Sequence, residues 1–257
     1  MAKPSTILFI HGMFMNKECW NDWVSYFQDK GFQCVTPSWP FHEGDPLQLR
    51  NKHPNNELGK LTLTDVVGFH ANIIKEMGEP PILIGHSMGG LVVQLLLNNG
   101  LGACGIAIDP APPVGVFAVS WSFLKANLPT INPLKGNAPD LLTFERFQYA
   151  FTNGMTMEEQ KAAYEKYVVP ESRNVPRSST MKAGRVDFSK PHNPLLLIAG
   201  GNDHIIPPGL NKNNFKKYKN KNSRTDFKEF PGRTHSIIVQ KNWQEVAEYT
   251  LSWIQHL

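Results

Sequence analysis

The feature that most restricts what this chain can fold into is a short run, Ile84-Gly85-His86-Ser87-Met88-Gly89-Gly90. It sits between an apolar strand-like stretch at 81–85 and a helix-like stretch from Met88 to Asn98. A chain that passes from strand to helix within so few residues must turn sharply, and the residues two places either side of the serine must be small for the backbones to pass. Gly85 and Gly89 meet that demand, and the turn lifts the Ser87 hydroxyl clear of the sheet. The helix N-terminus behind it favours negative charge developing there.

The rest of the chain repeats the alternation. Apolar runs at 6–11, 32–35, 81–85, 105–109, 194–199 and, more weakly, 226–230 read as strands. Between them lie helical patterns. Trp20, Trp23, Val24 and Phe27 share a face from Cys19 to Lys30, with Gly31 as a stop. From Thr62, with Asp65 three residues on to help cap it, Val66, Phe69, Ile73, Ile74 and Met77 form another. A last helix runs from about Trp243 to His256. The polar stretch at 41–60 reads as a loop. This order predicts an α/β fold, a mostly parallel doubly wound sheet with helices on both faces.

One interval breaks the rhythm. From Pro110 to Pro191 no buried-strand run occurs, while 121–128, 141–150 and 157–167 are helix-like. A structureless loop of that length is uncommon inside a compact domain, so a helical cap inserted at 113–190 is expected, on a core formed by 1–112 and 191–257.

Composition removes several function classes. Of 257 residues, 41% are hydrophobic and 19% charged, so the chain is globular rather than disordered. Three cysteines, Cys19, Cys34 and Cys104, are too few and scattered for a disulfide framework or a thiolate metal site. No window approaches the apolar length of a membrane span, and the N-terminal apolar run is too short for a signal peptide. A reduced, cytoplasmic protein is the expectation. The basic stretch Lys212, Lys216, Lys217, Lys219, Lys221 and Arg224 carries only Phe215 and Tyr218 between its charges and no binding motif. It reads as a solvated helix and the loop after it, and no nucleic-acid partner is expected.

A serine needs a base to take its proton and a third group to orient that base. His235, in the loop Pro231-Gly232-Arg233-Thr234-His235-Ser236 ahead of the last helix, fits the base. Asp203 and Asp109 each follow a strand and compete for the acid. Asp203 is preferred, because its loop precedes the His235 loop by a single strand–helix excursion. The two oxyanion donors fall to the amides of Met88, directly after Ser87, and Met13, in the loop His11-Gly12-Met13-Phe14. Gly12 would let backbone approach substrate closely. His11 reads as a brace of that turn rather than a second base.

Taken together, the His11-Gly12 loop, the Gly85–Gly90 elbow, Gly201-Asn202-Asp203 and Thr234-His235 resemble the α/β-hydrolase fold superfamily, in its capped esterase- and lipase-like branch. The resemblance spans nearly the whole chain and lacks only the superfamily's usual leading strand pair. It implies a triad of Ser87, His235 and Asp203 under a lid, acting on a small-molecule ester without cofactor or metal. Phe14, Trp121 and Phe123 are the candidate substrate-binding side chains, in an apolar pocket for a small or medium uncharged ester. A serine at the elbow separates the chain from relatives with an aspartate nucleophile. Lyases, cofactor-free oxygenases and non-catalytic ligand-binding relatives of the same fold remain alternatives.

Overall fold

The computed structural model describes residues 4–117 and 121–257. Met1–Lys3, in the leading segment, and Ala118–Ser120, in the expected cap, lie outside them. Among the described residues the sheet has strands β1 (Thr6–Ile10), β2 (Gln33–Val35), β3 (Ile82–His86), β4 (Cys104–Ile108), β5 (Leu195–Gly200) and β6 (Thr225–Phe230). All pair in parallel, in the order β2-β1-β3-β4-β5-β6. The chain therefore runs outward from β1 to β2, then crosses back past β1 to β3. In open α/β sheets a site forms at the strands' C-terminal ends where the order reverses, and here the reversal lies between β1 and β3, which end just before His11 and Ser87.

Why β1, β3, β4 and β5 read as continuous apolar runs follows from their burial on both faces. Phe9, Ile84, Ile106 and Ile198 point into one core with Trp20, with Trp23 and Phe27 of α1 (Asn21–Gln28), and with Val246 and Ile254 of α10 (Gln244–Gln255). Leu8, Ile10, Leu83 and Leu197 point the other way, against α3 (Leu63–Glu76), α4 (Met88–Asn98) and Leu210 of α9 (Pro208–Phe215). Each fully buried side chain of this size stabilises the fold by about 1.5–3 kcal/mol against exposure. The Thr62 capping box with Asp65 closes the first turn of α3.

The stretch at 41–60 is not all loop. It holds α2 (Pro46–Asn51) and a single 3₁₀ turn at Leu58–Lys60. The side chain of Asp45 caps α2 by accepting from Gln48 N–H, and Pro46 takes the first helical position, where its missing N–H costs nothing. Low hydrophobicity had hidden that start signal. The interval between β4 and β5 carries α5 (Trp121–Ile131), α6 (Phe144–Ala150), α7 (Met157–Tyr167) and α8 (Asn174–Ser179), together with one antiparallel bridge between Asp140 and Glu171. The basic stretch lies on the end of α9 and the loop before β6, its six cationic side chains exposed.

Candidate active site

Ser87 stands between β3 and α4 with φ +56° and ψ −121°, a conformation L-residues rarely adopt. Such strain costs about 1–3 kcal/mol and persists only where the surroundings over-determine it. Here they do. Ser87 N–H donates to Ile108 C=O at 2.9 Å, and its own carbonyl accepts from Gly90 N–H at 2.9 Å and Ala111 N–H at 2.9 Å. The glycines are sterically required: a Cβ on Gly85 would lie 2.3 Å from Gly89 O, and one on Gly89 2.2 Å from Ile10 O. Gly12 is held to glycine by the serine itself, since its Cβ would meet Ser87 Cβ at 2.8 Å.

The structure brings Ser87, His235 and Asp203 into one line. His235 Nε2 lies 2.9 Å from Ser87 Oγ, and His235 Nδ1 lies 2.6 Å from Asp203 Oδ2. The other carboxylate oxygen of Asp203 accepts from Ile205 N–H at 2.7 Å and Ile206 N–H at 2.9 Å. Burial raises the Asp203 pKa, but these amides and the imidazole N–H converge on its oxygens and favour the ionised form. That acceptor keeps the proton on Nδ1 and leaves the Nε2 lone pair facing the hydroxyl. Burial pushes the His235 imidazole down to about 3, well below the free value of 6.5. The base is therefore neutral across a wider pH range than a free histidine would be. Phe151 meets the His235 ring edge-on, with centroids 5.1 Å apart.

Asp109, the rival acid, is buried beside the same histidine but does not hydrogen-bond to it. One of its oxygens accepts from Gly200 N–H at 2.6 Å, and the other has no partner among the described residues. Burial, reinforced by the nearby Asp203, raises its pKa well above the carboxylate range. His86, the residue before the serine, donates from Nε2 to His235 C=O at 2.8 Å and packs against the His235 ring. His86, Asp109 and His235 each place one potential ligand atom within 4.8 Å of the others. Both His235 nitrogens and His86 Nε2 are already engaged in the hydrogen bonds just described, whereas His86 Nδ1 and Asp109 Oδ2 are buried without a partner among the described residues.

Met13 and Met88 line an apolar cavity of about 290 Å³ together with Ser87, and among the described residues neither amide donates to another backbone acceptor. Phe14 and Phe123 line the same cavity, as do Leu142, Phe151 and Ile206. Among the described residues no Asp, Glu, Lys, Arg or His is in its wall. Trp121 needs correction: it is 77% exposed and does not line the cavity. At the start of α5 it lies on the outward stripe with Leu124 and Leu128, whereas Phe123, Ala126 and Asn127 turn toward Ser87. His11 acts as the turn brace expected of it. It accepts at Nε2 from Trp39 N–H at 2.9 Å and donates from Nδ1 to Gly12 C=O at 2.8 Å.

Sequence reasoning missed Glu171 and His42. Glu171 is fully buried; one of its carboxylate oxygens accepts from Ser172 N–H at 2.6 Å, and the other from His42 Nε2 at 3.1 Å and Phe14 N–H at 3.3 Å. His42 Nδ1 donates to Pro40 C=O at 3.0 Å. Burial pushes the His42 pKa down, but the charge and hydrogen bond of Glu171 outweigh it and leave it raised. The signal available was a lone acid after an apolar run, Val168-Val169-Pro170-Glu171. Its partner lies 129 residues away, beyond any local pattern.

A parallel sheet with a serine elbow at its reversal point defines a class, and the comparisons agree. The family model of the alpha/beta hydrolase family matches residues 7–249. The chain belongs to that family. It is similar to a monoacylglycerol lipase from Paleococcus ferrophilus at 20% identity and TM-score 0.68, covering 99% of this chain and 96% of that one. It is similar to an extracellular α/β-hydrolase from a Paenibacillus species at 21% identity and TM-score 0.71, covering 97% and 98%. The pyrethroid hydrolase PytH aligns at 16% identity and TM-score 0.68, covering 99% and 98%. Among curated proteins, none matches the chain significantly by sequence. Among the described residues, no helix is long and apolar enough to cross a membrane.

Proposed function

We propose that the protein is a serine hydrolase that cleaves small-to-medium, uncharged carboxylic esters through an acyl-serine intermediate. The observation that carries this reading is the unbroken chain of contacts from Asp203 through His235 to Ser87 Oγ at the wall of an uncharged cavity. Esterase, lipase and pyrethroid-hydrolase activity in proteins of similar fold is consistent with it.

Catalysis follows from the geometry. His235 Nε2 takes the Ser87 proton as Oγ attacks the ester carbonyl, and Asp203 stabilises the imidazolium that forms. The Met13 and Met88 amides receive the oxyanion, each worth about 3–4 kcal/mol in the transition state. The imidazolium then protonates the departing alcohol, and a water activated by the same nitrogen releases the acid. The cavity lies near the lower end of the ~300–1,000 Å³ typical of ligand sites and cannot solvate a charged acyl group. Short and medium chains are therefore favoured over long ones.

Hydrolysis of p-nitrophenyl acetate, butyrate, octanoate and palmitate, with Ser87→Ala as control, tests this. Activity on the shorter esters that vanishes in the variant is the expected result. Well-folded protein inert toward all four would contradict it, and cyanohydrin cleavage in its place would mark a lyase.

A further inference from the structure

The loop that carries Met13 is anchored from two sides by different parts of the molecule. On the N-terminal side the sheet body holds it through His11, whose Nε2 accepts from Trp39 N–H and whose Nδ1 donates to Gly12 C=O. On the C-terminal side the anchor comes from the segment that follows α7, in the helical insertion. Phe14 has φ +61°, the left-handed region, and is 5% exposed. Its N–H donates to Glu171 at 3.3 Å, and its C=O accepts from Val169 N–H at 3.0 Å. Glu171 is itself fixed by Ser172 N–H, by His42 and by its backbone bridge to Asp140. A buried carboxylate, a buried histidine and a non-glycine residue at positive φ thus converge on the peptide next to Met13. Packing alone does not require that arrangement, and strain of this kind concentrates at functional sites.

We propose that Glu171 is a positioning residue for the oxyanion loop, coupling the docked cap to the aim of the Met13 N–H. The proposal rests on the acyl-serine reading above. Its consequence is that the 168–171 segment cannot lift away without releasing Phe14, so substrate reaches Ser87 past another part of the cap, and full activity requires this segment in place.

Glu171→Gln isolates the contact. The 2.6 Å bond from Ser172 N–H selects the orientation in which the amide oxygen faces Ser172. The amide nitrogen then donates to a neutral His42, and only Phe14 N–H loses its acceptor. Val169→Pro removes the N–H that supports Phe14 C=O on the other side, and Val168 before it is already extended, as a following proline requires. For both variants we would measure the thermal midpoint, kcat and KM on p-nitrophenyl butyrate, and inhibition by an alkyl trifluoromethyl ketone, whose serine adduct carries an oxyanion.

The expected result is a fall in kcat of about ten- to a hundredfold, less than complete loss of a donor. KM should stay within about twofold, and the ketone's inhibition constant should rise in step with the loss in kcat/KM. Unchanged kcat in a folded variant overturns the proposal. So does a loss shared by KM while ketone inhibition is unchanged, the mark of a merely structural role. Should Glu171→Gln not fold, Val169→Pro decides by the same readouts. Wild-type protein without Ser87-dependent esterase activity overturns the acyl-serine reading and, with it, this proposal.

Discussion

The sheet body and the helical insertion solve the same problem with different materials. The body is held by apolar burial on both faces of β1–β6 and by glycines that allow backbones to touch around Ser87. The helical segment between β4 and β5 adds buried charge to apolar burial. Arg173 donates to Ala138 C=O, Pro129 C=O and Thr130 C=O and pairs with Asp140 at 2.7 Å; Arg146 reaches the same carboxylate at 2.9 Å. Beside this knot the segment also buries Leu142, Phe147, Phe151, Tyr167 and Val168 in the core, while α5 turns Phe123 into the cavity and Trp121, Leu124 and Leu128 to solvent. A site assembled from both regions has a nucleophile set by steric packing and a pocket whose wall depends on polar pairing as well as apolar burial, so the two should respond differently to substitution and to pH.

The contrast can be broken most severely at the nucleophile. Ser87→Ala should lower kcat by on the order of 10⁴–10⁶ with little change in thermal stability, because alanine keeps the Cβ and with it the cost of positive φ. Asp203→Asn should cost about 10⁴ in kcat by allowing the wrong imidazole tautomer. Asp109→Asn should leave most activity, because Asp109 makes no hydrogen bond to His235. A rate for Asp109→Asn as low as that of Asp203→Asn would reassign the acid.

Stability variants sharpen the comparison at smaller scale. Gly89→Ala drives a Cβ to 2.2 Å from Ile10 O and should destabilise the whole molecule by about 3 kcal/mol, seen as a lower midpoint in a single melting transition. Arg173→Met leaves Asp140 buried with only Arg146 as its ion partner. It should cost somewhat less than ~3 kcal/mol and act locally, speeding protease cleavage between α5 and α8 before the sheet melts. Equal effects of both on the sheet would erase the distinction between the regions.

The mildest effects come from pH. Burial pushes the Asp140 carboxyl up, but hydrogen bonds and charge from Arg146 and the charge of Arg173 outweigh it and hold it below its ordinary value. A depressed carboxylate contributes stability that is present above the unfolded pKa and lost as pH falls through the folded one. The insertion should therefore loosen below about pH 4, read as increased cleavage there. The activity profile should behave differently. Because burial lowers the His235 pKa, the acidic fall in kcat/KM should lie below the free-histidine value of ~6.5, in a pH series with a neutral ester. A limb centred near 6.5 would show that the imidazole is not held as this environment implies.

What the sequence disclosed follows the same division. Strand periodicity and the Gly85–Gly90 turn are local patterns, and the loops of Asp203 and His235 follow from strand order; the structure brings those two side chains together with Ser87. Helix α2 escaped because its start signal, Asp45-Pro46, sits in a polar stretch without an apolar face. Helix α8 escaped because Pro176 and its serines suppress the helical pattern. Trp121 was expected at the pocket because aromatic content does not encode which side of a helix faces inward. Glu171 and His42 lie 129 residues apart, in segments without a motif, and no spacing rule connects them.

The most direct measurement is intact-protein and peptide mass spectrometry after treatment with a fluorophosphonate. The account predicts one phosphonyl adduct, on the peptide containing Ser87, formed quickly in wild type, slowly in His235→Ala and not at all in Ser87→Ala. A folded wild-type protein that forms no adduct, or forms it on another residue, would contradict Ser87 as the nucleophile.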